Sequence, residues 1–214
     1  MDDREIDLVL AEQRAYYSEI AADYELGAIP GWSGDDLDAA LRAFAPAGDV
    51  LELACGPGSW TRQLAGLGAR VTALDGSREM LAHASERLSG TPVRFIHADI
   101  FSWEPDRRYD AVVFGFWLSH VPPARFEAFW DLVARSLKPA GRVFFADDVY
   151  RTAGESVDEA RWLVRRRLPS GASRVIVKID EEPEQLERSL TELGWRITVT
   201  RAQGPFFWGE GERA

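Results

Sequence analysis

Apolar and polar positions along the chain follow two periods in succession. From residue 4 to residue 24, Ile6, Val9, Leu10, Tyr16, Tyr17 and Ile20 recur at near-helical spacing, which predicts a helix. Leu26 to Asp35 carries three glycines and a proline and reads as a loop. From Asp49 onward short apolar runs alternate with helical stretches: strand 49–54, helix 60–66, strand 70–74, helix 78–88, strands 93–98 and 110–116, helix 123–137 and strand 141–146. Strands separated by helices pair in parallel, with each helix crossing over the sheet. Ala111-Val112-Val113-Phe114 and Arg142-Val143-Phe144-Phe145-Ala146 are nearly continuous apolar runs, as expected of central strands covered on both faces. Past Asp148 the pattern predicts a helix over 155–167, a strand or extended lid over Arg174 to Ile179, and a helix over 183–193 stopped by Gly194. Two strands follow, 196–200 and 206–208, and the short Gln203-Gly204-Pro205 turn between them requires them to be antiparallel.

The most specific local pattern is Val50-Leu51-Glu52-Leu53-Ala54-Cys55-Gly56-Pro57-Gly58-Ser59-Trp60, an apolar strand running into a glycine turn, with Asp75 closing the next apolar run nineteen residues after Gly56. The first glycine permits a tight turn, and the second leaves no side chain where backbone must approach a ligand. A carboxylate ending the next strand can accept hydrogen bonds from ribose hydroxyls. The pattern therefore predicts a nucleoside-binding site.

Composition narrows the partners. The 214 residues suffice for one sizeable core, so a single domain is expected over 1–214, with a helical cap at 1–40 and a lid-like insertion at 149–180. A net charge of −10 opposes nucleic acid and anionic membrane surfaces. Cys55, the one cysteine, cannot form an internal disulfide and suits a buried strand end. The first residues lack the basic and apolar regions of a secretory signal, and the longest apolar run, Ala111 to Leu118, is too short to span a bilayer, so a cytoplasmic protein is expected.

Taken in order, these motifs resemble those of the class I S-adenosylmethionine-dependent methyltransferases. Leu51 to Gly58 matches the glycine motif, Val71-Thr72-Ala73-Leu74-Asp75-Gly76-Ser77 the ribose-binding strand end, and His97-Ala98-Asp99-Ile100 the adenine-side turn. Tyr109 to Phe114 and Leu137-Lys138-Pro139-Ala140-Gly141-Arg142 complete the match, which runs from about Ala15 to Trp208. The resemblance implies an α/β fold, a Rossmann-like three-layer sandwich whose seven-stranded sheet is mostly parallel with an antiparallel last strand. It also implies S-adenosyl-L-methionine as cofactor and S-adenosyl-L-homocysteine as product. Glu52, Gly56 and Gly58 would face the methionine portion, Asp75 with Gly76 the ribose, Ser77 or Met80 the flank of adenine, and Asp99 with Ile100 the adenine amine and ring. Phe116 would line the cofactor on the acceptor side. Tyr17 and Tyr24, in a segment resembling the helix laid over the cofactor in small-molecule members, become candidates for its carboxylate end. Trp60 is bulkier than the pattern asks, and would pack on the methionine portion or on the cap.

Methyl transfer from a sulfonium is an in-line displacement with its leaving group built in, so no protein nucleophile is needed, and a base is needed only for a protonated acceptor. His120, just past the fourth strand at the carboxyl edge, is the candidate base, with packing of the loop as its other reading. Asp147 and Asp148 end the fifth strand at the same edge, and Asp147 is taken as a second catalytic candidate, against capping or loop solvation. Arg161, Arg165, Arg166 and Arg167 form the one basic cluster, an anion clamp or a solvated face. Trp32 and Trp117 are candidates for an aromatic acceptor pocket. His83 and His97 read as structural, and no metal constellation is present in the sequence.

A nicotinamide-dependent oxidoreductase shares the glycines and the acid, but Thr61 stands where its third glycine belongs and Pro57 restricts the turn. A binder of the same cofactor, or an enzyme using it for a non-methyl outcome, is the other alternative. The expectation is a bacterial methyltransferase of small-molecule metabolism, monomeric or homodimeric, acting on oxygen or nitrogen of a small acceptor, with neither nucleic acid nor membrane as partner.

Overall fold

A computed structural model of the chain describes residues 1–24, 29, 31–150, 157 and 162–214. The chain opens with α1 (Asp3–Ile20), whose first turn is closed by a reciprocal cap: Asp2 accepts from the Glu5 amide, and the Glu5 side chain accepts from the Asp2 amide. Next comes α2 (Asp35–Phe44), where Leu37, Ala40, Leu41 and Phe44 form a buried stripe at helical spacing. The hydrophobic pattern assigns this segment no helix of its own, although its first residues fall within the helical cap expected over 1–40.

The alternating part follows as β1 (Asp49–Leu53), α3 (Ser59–Gly66), β2 (Arg70–Asp75), α4 (Arg78–Arg87), β3 (Arg94–His97), β4 (Tyr109–Gly115), α5 (Phe126–Ser136) and β5 (Leu137–Asp148). A hairpin of β6 (Leu163–Arg167) and β7 (Ser173–Val177) precedes α6 (Pro183–Glu192), β8 (Trp195–Arg201) and β9 (Phe206–Arg213). Seven strands form one sheet in the order β3-β2-β1-β4-β5-β9-β8. The first five pair in parallel, and β9 runs antiparallel to β5 and to β8, which it separates. This is the expected Rossmann-like arrangement of a mostly parallel sheet with an antiparallel last strand.

Alternation along the central strands assigns side chains to two layers. Leu51, Leu53, Val112, Phe114, Val143 and Phe145 pack toward α5 and α6, whose Phe129, Trp130, Leu186 and Leu190 are buried there. Val50, Ala111, Val113, Phe144 and Ala146 pack toward α2 and α3. A polar residue on that second face, Glu52, is thereby carried into an apolar layer. No described helix is long and apolar enough to cross a membrane.

Residues 163–167, expected at the end of a helix, form strand β6 instead, and the earlier part of that expected helix, including Arg161, lies outside the described residues apart from Val157 and Trp162. The physical reason is the Pro169-Ser170-Gly171 turn, which lets 163–167 fold back on 173–177 with Leu163 opposite Val177 and Arg165 opposite Val175. Strand alternation then replaces helical spacing: Arg165 and Arg167 are exposed, while Arg166 turns inward and is half-buried.

Helix α1 lies along β7 and supplies what a neighbouring strand would. Glu12 Oε2 accepts from the Val175 amide at 2.8 Å and Gln13 Oε1 from the Val177 amide at 3.0 Å. The otherwise open edge of the hairpin is thus closed by two helix side chains.

Candidate active site

The carboxyl ends of β1, β2 and β4 open into a cleft roofed by α1, at the edge where ligands of open parallel sheets bind. At its floor, Gly56 adopts φ +53°, and a Cβ built there would meet nothing within 4 Å, so the missing side chain faces open space. Gly58 (φ +84°) serves a different purpose: a Cβ there would stand 3.0 Å from Ala84 and from Leu88, so it permits close packing beside α4. Gly56 thus makes the left-handed turn expected of it and also provides the open approach expected at Gly58.

Asp75 is held by two backbone donors, the Gly56 amide to Oδ2 and the Ser77 amide to Oδ1, each at 2.8 Å. Burial raises its carboxyl pKa, and these amide donors oppose the rise. Ser77 caps α4 by accepting from the Met80 amide and accepts from Ser18 Oγ of α1 at 2.9 Å. Across the cleft, Asp99 and Ile100 follow β3, with Asp99 Oδ1 accepting from the Phe101 amide. Phe116, just past β4, is a non-glycine residue at φ +54°, tied by its amide to the Ala146 carbonyl at 2.8 Å. That conformation costs on the order of 1 kcal/mol or more and turns the ring into the cleft mouth.

Tyr17, Tyr24, Gly56, Asp75, Gly76, Ser77, Met80, Asp99, Ile100, Phe116 and His120 all line this cleft. Glu52, Gly58, Trp60 and Asp147 do not. Trp60 lies under the strand ends, where a Cβ at Gly115 would touch its ring at 2.9 Å. Glu52 is 2% exposed, one of its oxygens lacks a partner, and burial lifts its carboxyl to about 8. Asp147 is fully buried and already engaged, accepting from the Ser119 amide at 2.8 Å and from the Asp148 amide at 2.8 Å, so it shapes the turn that carries His120. Trp117 lines the cleft, whereas Trp32 lies against Gly204. Gln13 and Arg14 line it too and were not anticipated; their i, i+4 relation to Tyr17 and Ser18 is the signal that could have found them.

His120 sits where this cleft meets a second cavity bounded by Tyr16, Asp148, Tyr150, Arg166, Ile176 and Lys178. Tyr17, Tyr24, Phe116 and His120 line both. Both imidazole nitrogens are committed. Nδ1 lies 2.5 Å from the Val177 carbonyl, which fixes the proton there, and Nε2 accepts from the Tyr17 hydroxyl at 2.8 Å. Burial, reinforced by the nearby Lys178 charge, pushes the His120 pKa down to about 3, so the ring is neutral. Burial raises the Tyr17 and Tyr24 phenols, and both stay protonated. In the wall of the second cavity, Lys178 Nζ donates to Ser119 Oγ at 3.1 Å and to Asp148 Oδ1 at 2.9 Å.

Residues 50–141 match the family of methyltransferase domains. Demethylmenaquinone methyltransferase of Clavibacter sepedonicus is 40% identical over 113 residues, 51% of this chain and 45% of that protein. The chain spans about half the length of the first curated relatives it matches. Over nearly its whole length it is similar to two solved structures. A DhpI–SAH complex shares 41% identity at a TM-score of 0.84, covering 96% of this chain and 97% of that one. A DhpI–SAM–HEP complex shares 42% at 0.82, covering 94% and 96%.

Proposed function

We propose that this chain, which belongs to the class I S-adenosylmethionine-dependent methyltransferases, transfers the methyl group to an oxygen or nitrogen of a small acceptor held in the second cavity. The observation that carries this reading is the shared wall of Tyr17, Tyr24, Phe116 and His120, which lets a donor in one cavity meet an acceptor in the other. A solved structure 42% identical is that of a DhpI–SAM–HEP complex, which supports a site with room for more than SAM.

The cleft suits the donor. Asp75, with each oxygen already oriented by an amide, presents its remaining lone pairs to a ribose diol. Open space over Gly56 admits the chain beyond the ribose, and Asp99 with Ile100 offers a carboxylate and an apolar face for an adenine. The sulfonium, when bound, supplies an electrophilic methyl and its own leaving group. What the protein adds is orientation and exclusion of water, which can account for much of the acceleration of such a displacement.

His120 holds Tyr17 in place rather than taking a proton from the acceptor. Its proton is fixed on the Val177 side, its lone pair is occupied by Tyr17, and its low pKa makes it a poor proton sink. The acceptor therefore brings its own lone pair or negative charge, as a free amine or an ionised oxygen does.

Two measurements test this reading. Asp75→Ala should weaken calorimetric binding of S-adenosylmethionine by tenfold or more, and mass spectrometry on a panel of amines and oxyanions should reveal a methylated product. With an acceptor whose ionisation is constant from pH 5 to 8, kcat/KM should be flat. A limb near pH 6.5 that disappears in His120→Ala would show that the histidine removes a proton and would overturn the assignment.

A further inference from the structure

We infer that Arg14 is a positioning residue of the donor cleft, a strap that joins the ribose side to the adenine side and slows escape of the nucleoside. Its stem touches the turn after β2 and its head the turn after β3. On the β2 side, a Cβ at Gly76 would stand 3.2 Å from Arg14 Cδ and 3.5 Å from Cγ, so the aliphatic stem lies flat on the residue that follows Asp75. On the β3 side, Arg14 Nη1 donates to Asp99 Oδ2 at 2.9 Å. The two side chains line the cleft and are 39% and 36% exposed, which places the pair at its rim.

The strap is anchored independently of its own ion pair. Gln13, the preceding residue, is 2% exposed and is fastened to the His120 carbonyl at 3.2 Å and to the Val177 amide at 3.0 Å. Ser18, one turn beyond Arg14, donates to Ser77 Oγ. Helix α1 therefore stays docked whether or not Arg14 reaches Asp99, and the guanidinium is left to act on the cleft alone. Asp99 has one oxygen on the Phe101 amide and the other on Arg14, so its carboxylate plane is fixed by both. A base whose exocyclic amine approaches Asp99 meets an acceptor already oriented, and a nucleoside leaving outward has to pass beneath the arginine stem or break the pair.

The inference needs only the donor site and is measured without acceptor, so it stands or falls separately from the acceptor reading above. Arg14→Met keeps a stem over Gly76 and removes the charge, Arg14→Ala removes both, and Arg14→Lys retains the charge without the planar fork. Stopped-flow release of S-adenosylhomocysteine should quicken about fivefold in Arg14→Met, the upper range for one exposed ion pair. In Arg14→Ala it should quicken about tenfold, with Arg14→Lys between Met and wild type. The calorimetric Kd for S-adenosylmethionine, measured without acceptor, should rise in step, while the melting temperature without ligand stays at the wild-type value. In an Asp99→Asn background, Arg14→Met should add little further, because the pair is already broken. An unchanged release rate in Arg14→Met would overturn the inference. So would a fall in ligand-free melting temperature that tracks the loss of affinity, because that would make Arg14 a helix-docking residue.

Discussion

Glu52 shows what strand alternation does to a single residue. Its neighbours Leu51 and Leu53 face one helical layer, and Glu52 faces the other, among Val50, Val113 and the α3 side chains, with its acid group lifted to about 8. The unfolded chain releases this proton near its ordinary value of 4.5 and the folded chain holds it to about 8. Stability from the neutral acid is therefore complete below 4.5 and is lost as pH rises, at about 1.4 kcal/mol per pH unit, until the folded form also ionises. His120 has the opposite sign: its folded pKa is depressed to about 3, so its effect appears only as pH falls below its ordinary 6.5. Between pH 6.5 and 8 only the first effect of this pair operates. Thermal scans across that interval should show the wild-type melting temperature dropping with pH and Glu52→Gln dropping measurably less; parallel slopes would exclude Glu52 as the source. The motif placed Glu52 correctly in its strand, but which layer it faces, and that its carboxylate stays out of the cleft, follows from the pairing of β1 with β4, which no local pattern contains.

At the scale of elements, α1 is the piece whose role was least legible. Its helical period is plain, and Tyr17 was readable as a cleft residue from its segment. Gln13 and Arg14 were not, because their partners lie 85 to 164 residues away along the chain. The hairpin that α1 covers was obscured for a related reason: Leu163 to Arg167 reads as the end of a helix, and only β7 folding back on it makes it a strand. Gln13 closes this assembly by bonding both the Val177 amide and the His120 carbonyl in a buried position. Gln13→Ala leaves two buried backbone groups without partners, each costing about 1–3 kcal/mol. Urea unfolding should show a midpoint lowered accordingly, and Gln13→Glu, which keeps only the accepting half of the arrangement, should fall between.

Across the whole molecule, the parallel half of the sheet was legible because each strand is an apolar run ending in a chemically marked turn: Gly56 after β1, Asp75 closing β2, Asp99 after β3 and Phe116 after β4. These marks share one edge because parallel strands point the same way, and so a one-dimensional motif order becomes a three-dimensional cleft. The position of β9 was less accessible, since its antiparallel sense follows from the short turn at 203–205 but its place between β5 and β8 does not. Two glycines fit it there: a Cβ at Gly209 would overlap the Phe145 ring, and one at Gly211 would overlap the Arg196 carbonyl. This order has a consequence for synthesis. Ribosomes deliver β8 before β9, yet β8 has no strand of its own to join until Phe206 to Arg213 emerges to bridge it to β5. During that interval β5 presents an unpaired, apolar edge, the kind of surface that attracts other chains. Nascent chains arrested with residues up to 205 exposed should be digested rapidly by protease, and those arrested with residues through 213 exposed should resist. Equal resistance in the two would mean that the sheet closes by another route. The strand that bridges the two parts of this sheet emerges after every other strand in it, and until it arrives the strands that carry the donor cleft end in an open edge at β5.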